Sequence, residues 1–211
     1  MFLDRIDAGR KLAEALWALP NRPDPAVVLA IPRGGVILAR EVARAFNVPV
    51  EVCLTHKLGA PGNPELAIGA LADDGTLVLD ELLLDMLNVP AGYIDAERRR
   101  WQQELVRRAE VYRGGRPRVP VQDRVVIVVD DGVATGSTLI AALRSTRAAG
   151  ARSLIAAIPV GPRDTVRGAL ARAADRVVCL HSPVQFYAVS VFYRDFPQVS
   201  DEEVIAALAE T

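Results

Sequence analysis

The run at residues 125–138, VVIVVDDGVATGST, constrains the fold more than any other stretch of the chain. Five apolar residues, four of them valine, are too short for a buried helix and read as a buried strand. Asp130 and Asp131 stand where that strand ends. A turn bearing Gly132 and Gly136 follows, and the pattern LIAALRSTRAAG then has helical spacing. A strand, a tight glycine turn and a helix in direct succession define one half of a parallel α/β unit. The carboxyl edge of such a sheet is where ligands bind.

The residue types at that edge suit a sugar phosphate. Ionised carboxylates accept hydrogen bonds, so Asp130 and Asp131 fit vicinal hydroxyls or a hydrated Mg²⁺. Gly132 and Gly136 let the backbone turn and approach a ligand without a Cβ. Thr135, Ser137 and Thr138 supply hydroxyls. The helix starting near Ser137 points unpaired N–H groups and its positive dipole end at the same place. For the TGST segment alone, a plain helix N-cap with solvated strand-end acids is the better explanation. The whole ordered run favours the anion site. No lysine follows the glycines, which excludes a Walker loop, and G-x-G-x-x-G is absent.

A second stretch repeats the idea. At 27–36, VVLAIPRGGV, an apolar strand ends in Pro32-Arg33-Gly34-Gly35 and a helical pattern starts at once. Two glycines expose backbone N–H groups and Arg33 adds a fixed positive charge. A simple strand-to-helix turn is the alternative. A third stretch, Thr55-His56-Lys57-Leu58, leads into the glycine- and proline-rich GAPGNP at 59–64. It includes one of only two lysines in the chain. Lys57 is either an ordinary surface lysine or a site residue, His56 either caps a strand end or faces the site, and Glu65 is placed to order the loop.

The 125–138 run resembles the PRPP motif of the type I phosphoribosyltransferases, in which a hydrophobic strand, two acids, a short turn and T-G-G/S-T occur in this order; PRPP is phosphoribosyl diphosphate. The resemblance implies a doubly wound, mainly parallel five-stranded sheet flanked by helices, with a β-hairpin flexible loop and a small C-terminal hood. It divides the chain into a core at 1–180 and a hood at 181–211. By the same resemblance, Val133, Ala134, Thr135, Gly136, Ser137 and Thr138 hold the 5′-phosphate, and Arg33, Gly34, Gly35 and Lys57 hold pyrophosphate, with a non-proline cis peptide before Gly34. Asp130, Asp131, Lys57 and Arg33 form the catalytic set. Mg²⁺ is the implied cofactor, bound by Asp130 and Asp131 through water. The implied activity is transfer of the phosphoribosyl group from PRPP to a nitrogenous base, with His181, Gln185, Phe186 and Tyr187 as candidate base contacts. The motifs leave the acceptor open. A PRPP-sensing regulator and a Mg²⁺-dependent phosphohydrolase remain as alternatives.

The remaining composition narrows the partners. At 211 residues with 51% apolar content, the chain can bury a substantial core, and a net charge of −1 gives no general attraction to nucleic acid or anionic membrane. The arginines between 98 and 118 are interleaved with Asp95, Glu97, Glu104 and Glu110, which points to a solvated, salt-bridged helix rather than a nucleic-acid face. Cys53 and Cys179 lie in apolar runs without metal-ligand spacing, as expected of reduced thiols in a cytoplasmic protein. No apolar run reaches membrane-spanning length, and a homodimer is the expected assembly. Five aromatics crowd residues 185–196 in a chain with 5% aromatic content. They read as a small satellite core, a stacking surface for a base, or one of each.

Overall fold

The computed structural model describes residues 1–210, apart from the side chain of Glu65. Helix α1 (Arg5–Trp17) starts at Asp4, whose carboxylate accepts the Asp7 N–H at 2.8 Å. Strand β1 (Val27–Ala30) leads into α2 (Gly34–Phe46) and β2 (Val50–Val52). A second, antiparallel sheet follows, made of β3 (Thr55–Ala60), β4 (Asn63–Ala72) and β5 (Leu77–Leu79). Helices α3 (Glu81–Leu87) and α4 (Ala91–Arg113) return the chain to the core at β6 (Val125–Val129). Then come α5 (Ser137–Ala148) and β7 (Ser153–Val160). A continuous helical stretch follows, made of α6 (Arg163–Thr165), a π-helical turn (Val166–Leu170) and α7 (Ala171–Ala173). Strand β8 (Arg176–His181), a 3-10 turn (Val189–Phe192) and α8 (Asp201–Ala209) complete the chain. Ser200 caps α8 in a reciprocal capping box with Glu203.

The main sheet has the order β2-β1-β6-β7-β8, and every pair in it is parallel. Alternation within the strands explains its two-sided burial. Val126 and Val128 pack with Leu139, Ala142 and Leu143 of α5 on one face. Ile127 and Val129 pack with α1 and α2 residues such as Leu12, Leu16, Leu38 and Val42 on the other. From β1 the chain winds outward to β2, and from β6 it winds the opposite way to β7 and β8. The reversal falls between β1 and β6, whose register pairs Ala30 with Val129. That is the crevice where a doubly wound sheet binds its ligand.

Residues 59–64 form the tip of the β3–β4 hairpin rather than a loop, turning at Pro61-Gly62 with Gly62 at φ 74°. The pairing skips from Leu58↔Gly69 to Gly59↔Ala67 and Ala60↔Asn63. Pro64 therefore lies within a bulge, where its missing N–H costs no ladder bond. The apolar run at 50–55 also splits: β2 ends at Val52 and the hairpin begins at Thr55. The Asp74-Gly75 turn joins β4 to β5 as its sequence predicts, with Gly75 at φ 85°.

A buried ion network fastens this arm to the main sheet. Arg113, at the end of α4, donates from Nε to Glu51 of β2 at 2.9 Å and from Nη2 to Asp73 at 2.6 Å. Glu51 also accepts the N–H groups of Val52 and Val119, each at 2.8 Å. Burial pushes the Asp73 carboxyl up, and the adjacent Arg118 and Arg113 oppose the shift. Cys53, beside this cluster, is a free thiol pushed up to about 12 by burial, and Cys179 is likewise free. On α4, Arg107 pairs with Glu104 at 2.9 Å and Arg100 with Glu97 at 3.6 Å, so these two arginines of the run are salt-bridged within their own helix. No helix among the described residues is long and apolar enough to cross a membrane.

Replacing Arg113 with Met removes the charge partner of buried Glu51 and leaves buried Asp73 with Arg118 alone. It should destabilise the chain by about 3–5 kcal/mol, read from the urea midpoint at constant slope. A midpoint unchanged from wild type would show that the arm is held by apolar packing alone.

Candidate functional site

Two helix N-termini open side by side at the carboxyl edge of the sheet. Helix α2 starts at Gly34, two residues earlier than the apolar pattern implies, with Arg33 as its cap and no side-chain cap bond. Its first turn therefore begins with the amides of the diglycine, Gly34 partly exposed and Gly35 buried. Helix α5 starts at Ser137, after Gly136 at φ 78°, again with no side-chain cap bond. No side chain caps α2, and at α5 the Ser137 N–H makes one long bond, to Thr135 Oγ1 at 3.4 Å, so other first-turn N–H groups stay available to an anion. The cis peptide is Pro32–Arg33, one bond before the position implied by resemblance. The Arg33–Gly34 bond instead enters α2, whose hydrogen-bond ladder uses trans peptides.

The two corners touch. A Cβ on Gly34 would fall inside the Asp131 carboxylate, and one on Gly35 would lie 2.8 Å from the Val129 carbonyl oxygen. The diglycine therefore supplies amides and also leaves room for the acid pair of the neighbouring strand. Asp130 Oδ1 accepts the Asp131 N–H at 2.8 Å, and among the described residues Asp130 Oδ2 has no partner. Burial and then repulsion from Asp131 push the Asp130 carboxyl well above the usual carboxylate range. Burial also raises Asp131, against the opposing pull of Arg5.

Arg5 was not legible as a site residue. Its Nε donates to Asp131 Oδ2 at 2.8 Å, its Nη1 donates to the Pro197 carbonyl at 2.6 Å, and its guanidinium lies 3.7 Å from the Phe196 ring centre. Tyr193 Oη also reaches the pair, donating to the Asp131 carbonyl at 2.6 Å. The only local hint is an arginine in the first turn of α1; its partner is 126 residues away.

In the turn that follows β6, the Thr135 and Ser137 hydroxyls lie 3.0 Å apart, and Thr165 Oγ1 braces the Ala134 carbonyl at 3.3 Å. Val133 is buried, and its N–H is committed to the Val160 carbonyl. It anchors the turn, and the donors facing outward come from Thr135 onward. Gly132, at φ 150°, has no room for a Cβ beneath Val189 of the hood.

The other sequence candidates fall in three places. The Arg33 side chain extends toward α8, with Nη1 4.0 Å from Asp201. Lys57 sits on strand β3 opposite Ala70, and strand alternation places it on the face opposite His56. His56 stacks on Trp101 with ring centres 3.5 Å apart, a packing role in the arm. The Glu65 side chain lies outside the described residues.

The hood includes the N-terminus as well as residues beyond 180. Phe2 N–H donates to the Phe192 carbonyl, and Arg194 and Asp195 N–H groups donate to the Phe2 and Leu3 carbonyls. Phe2, Tyr193 and Phe196 form its packed part, and the His181 ring rests on Phe2 at 5.2 Å. Phe186 stacks on Phe192 at 5.7 Å, so it serves packing. Gln185 and Tyr187 are exposed, Tyr187 at 86%.

Among the described residues, no group of three or more His, Cys, Asp or Glu side chains is placed to hold a metal. One partly free carboxylate pair fits a Mg²⁺ that keeps several waters and takes its other oxygens from a substrate.

The phosphoribosyl transferase domain model matches residues 3–189, and the chain belongs to that family. Two proteins from strains of Mycobacterium tuberculosis, one named "Putative phosphoribosyl transferase Rv0571c", are 46% identical to it over 208 residues. The match takes in 99% of this chain but 46% of each relative, so the chain spans about half their length. The crystal structure of TT1426 from Thermus thermophilus superposes with a TM-score of 0.89 at 44% identity, covering 99% of this chain and 98% of that one. A Neisseria gonorrhoeae protein crystallised with bound ppGpp shares the fold at 13% identity and TM-score 0.51, covering 100% of this chain and 98% of that one.

Substituting Gly34 with Ala should displace the Asp131 carboxylate and cost about 1–3 kcal/mol through overpacking, measured by thermal and urea unfolding. Unchanged stability would mean that the two corners stand further apart than described.

Proposed function

We propose that this chain transfers the 5-phosphoribosyl group from PRPP to a nitrogenous acceptor and releases pyrophosphate. The observation that carries the proposal is the pair of uncapped helix N-termini at the ends of adjacent parallel strands β1 and β6, with two acids between them. Two anion cradles flanking a carboxylate pair match a ribose that bears a phosphate at one end and a diphosphate at the other. Family membership and the relatives' given names support the same reading.

In this reading the N–H groups and hydroxyls of residues 135–138 hold the 5′-phosphate. Asp130 and Asp131 accept hydrogen bonds from the ribose hydroxyls. The Gly34 and Gly35 amides, together with the Arg33 and Lys57 charges, stabilise the departing pyrophosphate. Charge develops there as the bond from C1 to oxygen breaks through an oxocarbenium-like state. Arg33 turns from Asp201 into the crevice to do so. Mg²⁺, held by Asp130 and Asp131 through water, would neutralise diphosphate charge. The β3–β4 arm covers the site and excludes water, which otherwise competes with the acceptor. Exposed Tyr187 and Gln185, with His181, offer a stacking and hydrogen-bonding surface to a planar base.

A screen of purine, pyrimidine and pyridine bases with PRPP and Mg²⁺ should release pyrophosphate with at least one acceptor class. Release with none, together with no calorimetric PRPP binding, would overturn the transferase reading. Asp130→Asn should abolish PRPP binding while the circular dichroism spectrum stays unchanged; full affinity in this variant would remove the sugar assignment. Lys57→Ala should lower turnover by about 10²-fold or more, on the scale of a lost electrostatic donor, with a small change in melting temperature. Wild-type turnover would place Lys57 outside the site.

A further inference from the structure

The acid pair is asymmetric in a way that the motif does not encode. Asp131 is held through one carboxylate oxygen and through its backbone carbonyl. Its carboxylate lies against Gly34 on one side and the Arg5 Nε, at 2.8 Å, on another, and its carbonyl accepts the Tyr193 hydroxyl at 2.6 Å. Asp130 spends one oxygen on the Asp131 N–H, and its other oxygen has no partner among the described residues. Arg5 itself is only 9% exposed, and its partners Asp131, Pro197 and Phe196 belong either to the acid corner or to the hood.

We propose that Arg5 is a positioning residue for the sugar site, fixing Asp131 so that Asp130 and the remaining Asp131 oxygen meet the ribose, and tying that geometry to the hood. The proposal rests on the transferase reading. A guanidinium suits the role because its planar fork bonds the carboxylate with Nε and the Pro197 carbonyl with Nη1 while stacking on Phe196. Without a cation at this point, two adjacent carboxylates would repel each other, and Asp131 would be free to turn away from its neighbour. Because Arg5 binds residues 196–197, a displacement of the hood by an arriving acceptor reaches Asp131 through a single side chain.

The test compares Arg5→Gln, which keeps much of the length but loses the charge, with Arg5→Lys, which keeps the charge. Each is measured by PRPP calorimetry with Mg²⁺ and by thermal melting. Arg5→Gln should weaken PRPP binding by about 10–100-fold, the usual loss for an outer-shell partner, and Arg5→Lys should recover a substantial part of it. With Asp131 already changed to Asn, adding Arg5→Gln should cost little more. Folded Gln and Lys variants with equal affinities, or losses that add in the double variant, would overturn the positioning role and leave a packing role. If Arg5→Gln does not fold, Arg5→Lys with affinity indistinguishable from a folded, uncharged Arg5→Met would overturn it equally. A wild-type chain that binds no PRPP would overturn the transferase reading and this inference with it. Wild-type binding together with unaffected Arg5 variants would overturn the inference alone.

Discussion

The architecture of the site depends on a single close approach, between the diglycine that ends β1 and the acid pair that ends β6. Parallel pairing of Ala30 with Val129 brings the two strand ends to the same level. Beyond that level there is no space for a side chain at Gly34 or Gly35. The backbone of one corner therefore serves as the wall of the other. Two helix N-termini are held beside each other by this steric contact, so their positive ends add rather than act separately.

Two polar connections extend this rigid corner to the rest of the molecule. Arg113 bridges Glu51 of the edge strand to Asp73 at the base of the arm. Arg5 bridges Asp131 to the tail that crosses behind it. Both are largely buried and each satisfies two acceptors, the arrangement in which removal of one partner is most costly. Apolar packing fixes the layers, and these arginines fix how the arm and the hood are set on them. The parts expected to meet substrate are thus attached to the core by directional bonds, while the sheet beneath them is held by non-directional burial.

Helix ends marked by a capping side chain are local features of the sequence. Asp4 opens α1, and Ser200 with Glu203 opens α8, because a capping side chain needs only its own neighbours in sequence. The valine run at 125–129 reads correctly for the same reason. The tip at 59–64 misleads because glycine and proline usually mark loops, yet a bulge lets Pro64 sit between paired residues. The aromatic cluster at 185–196 divides into packed Phe186 and exposed Tyr187, a division set by which ring finds Phe192. His56 likewise finds its role only in Trp101, a residue of another element.

The amino-acid order alone determined the strand–turn–helix units and the apolar runs of the central strands, because each depends on residues only a few positions apart. The tertiary structure decided that those turns face each other, that Gly34 must be small because of Asp131, and that Arg5 and Phe2 at the N-terminus belong to the same corner as residues 193–197. These relations join residues separated by roughly a hundred positions or more. Strand order and crossover direction select such pairings, and no local pattern records them.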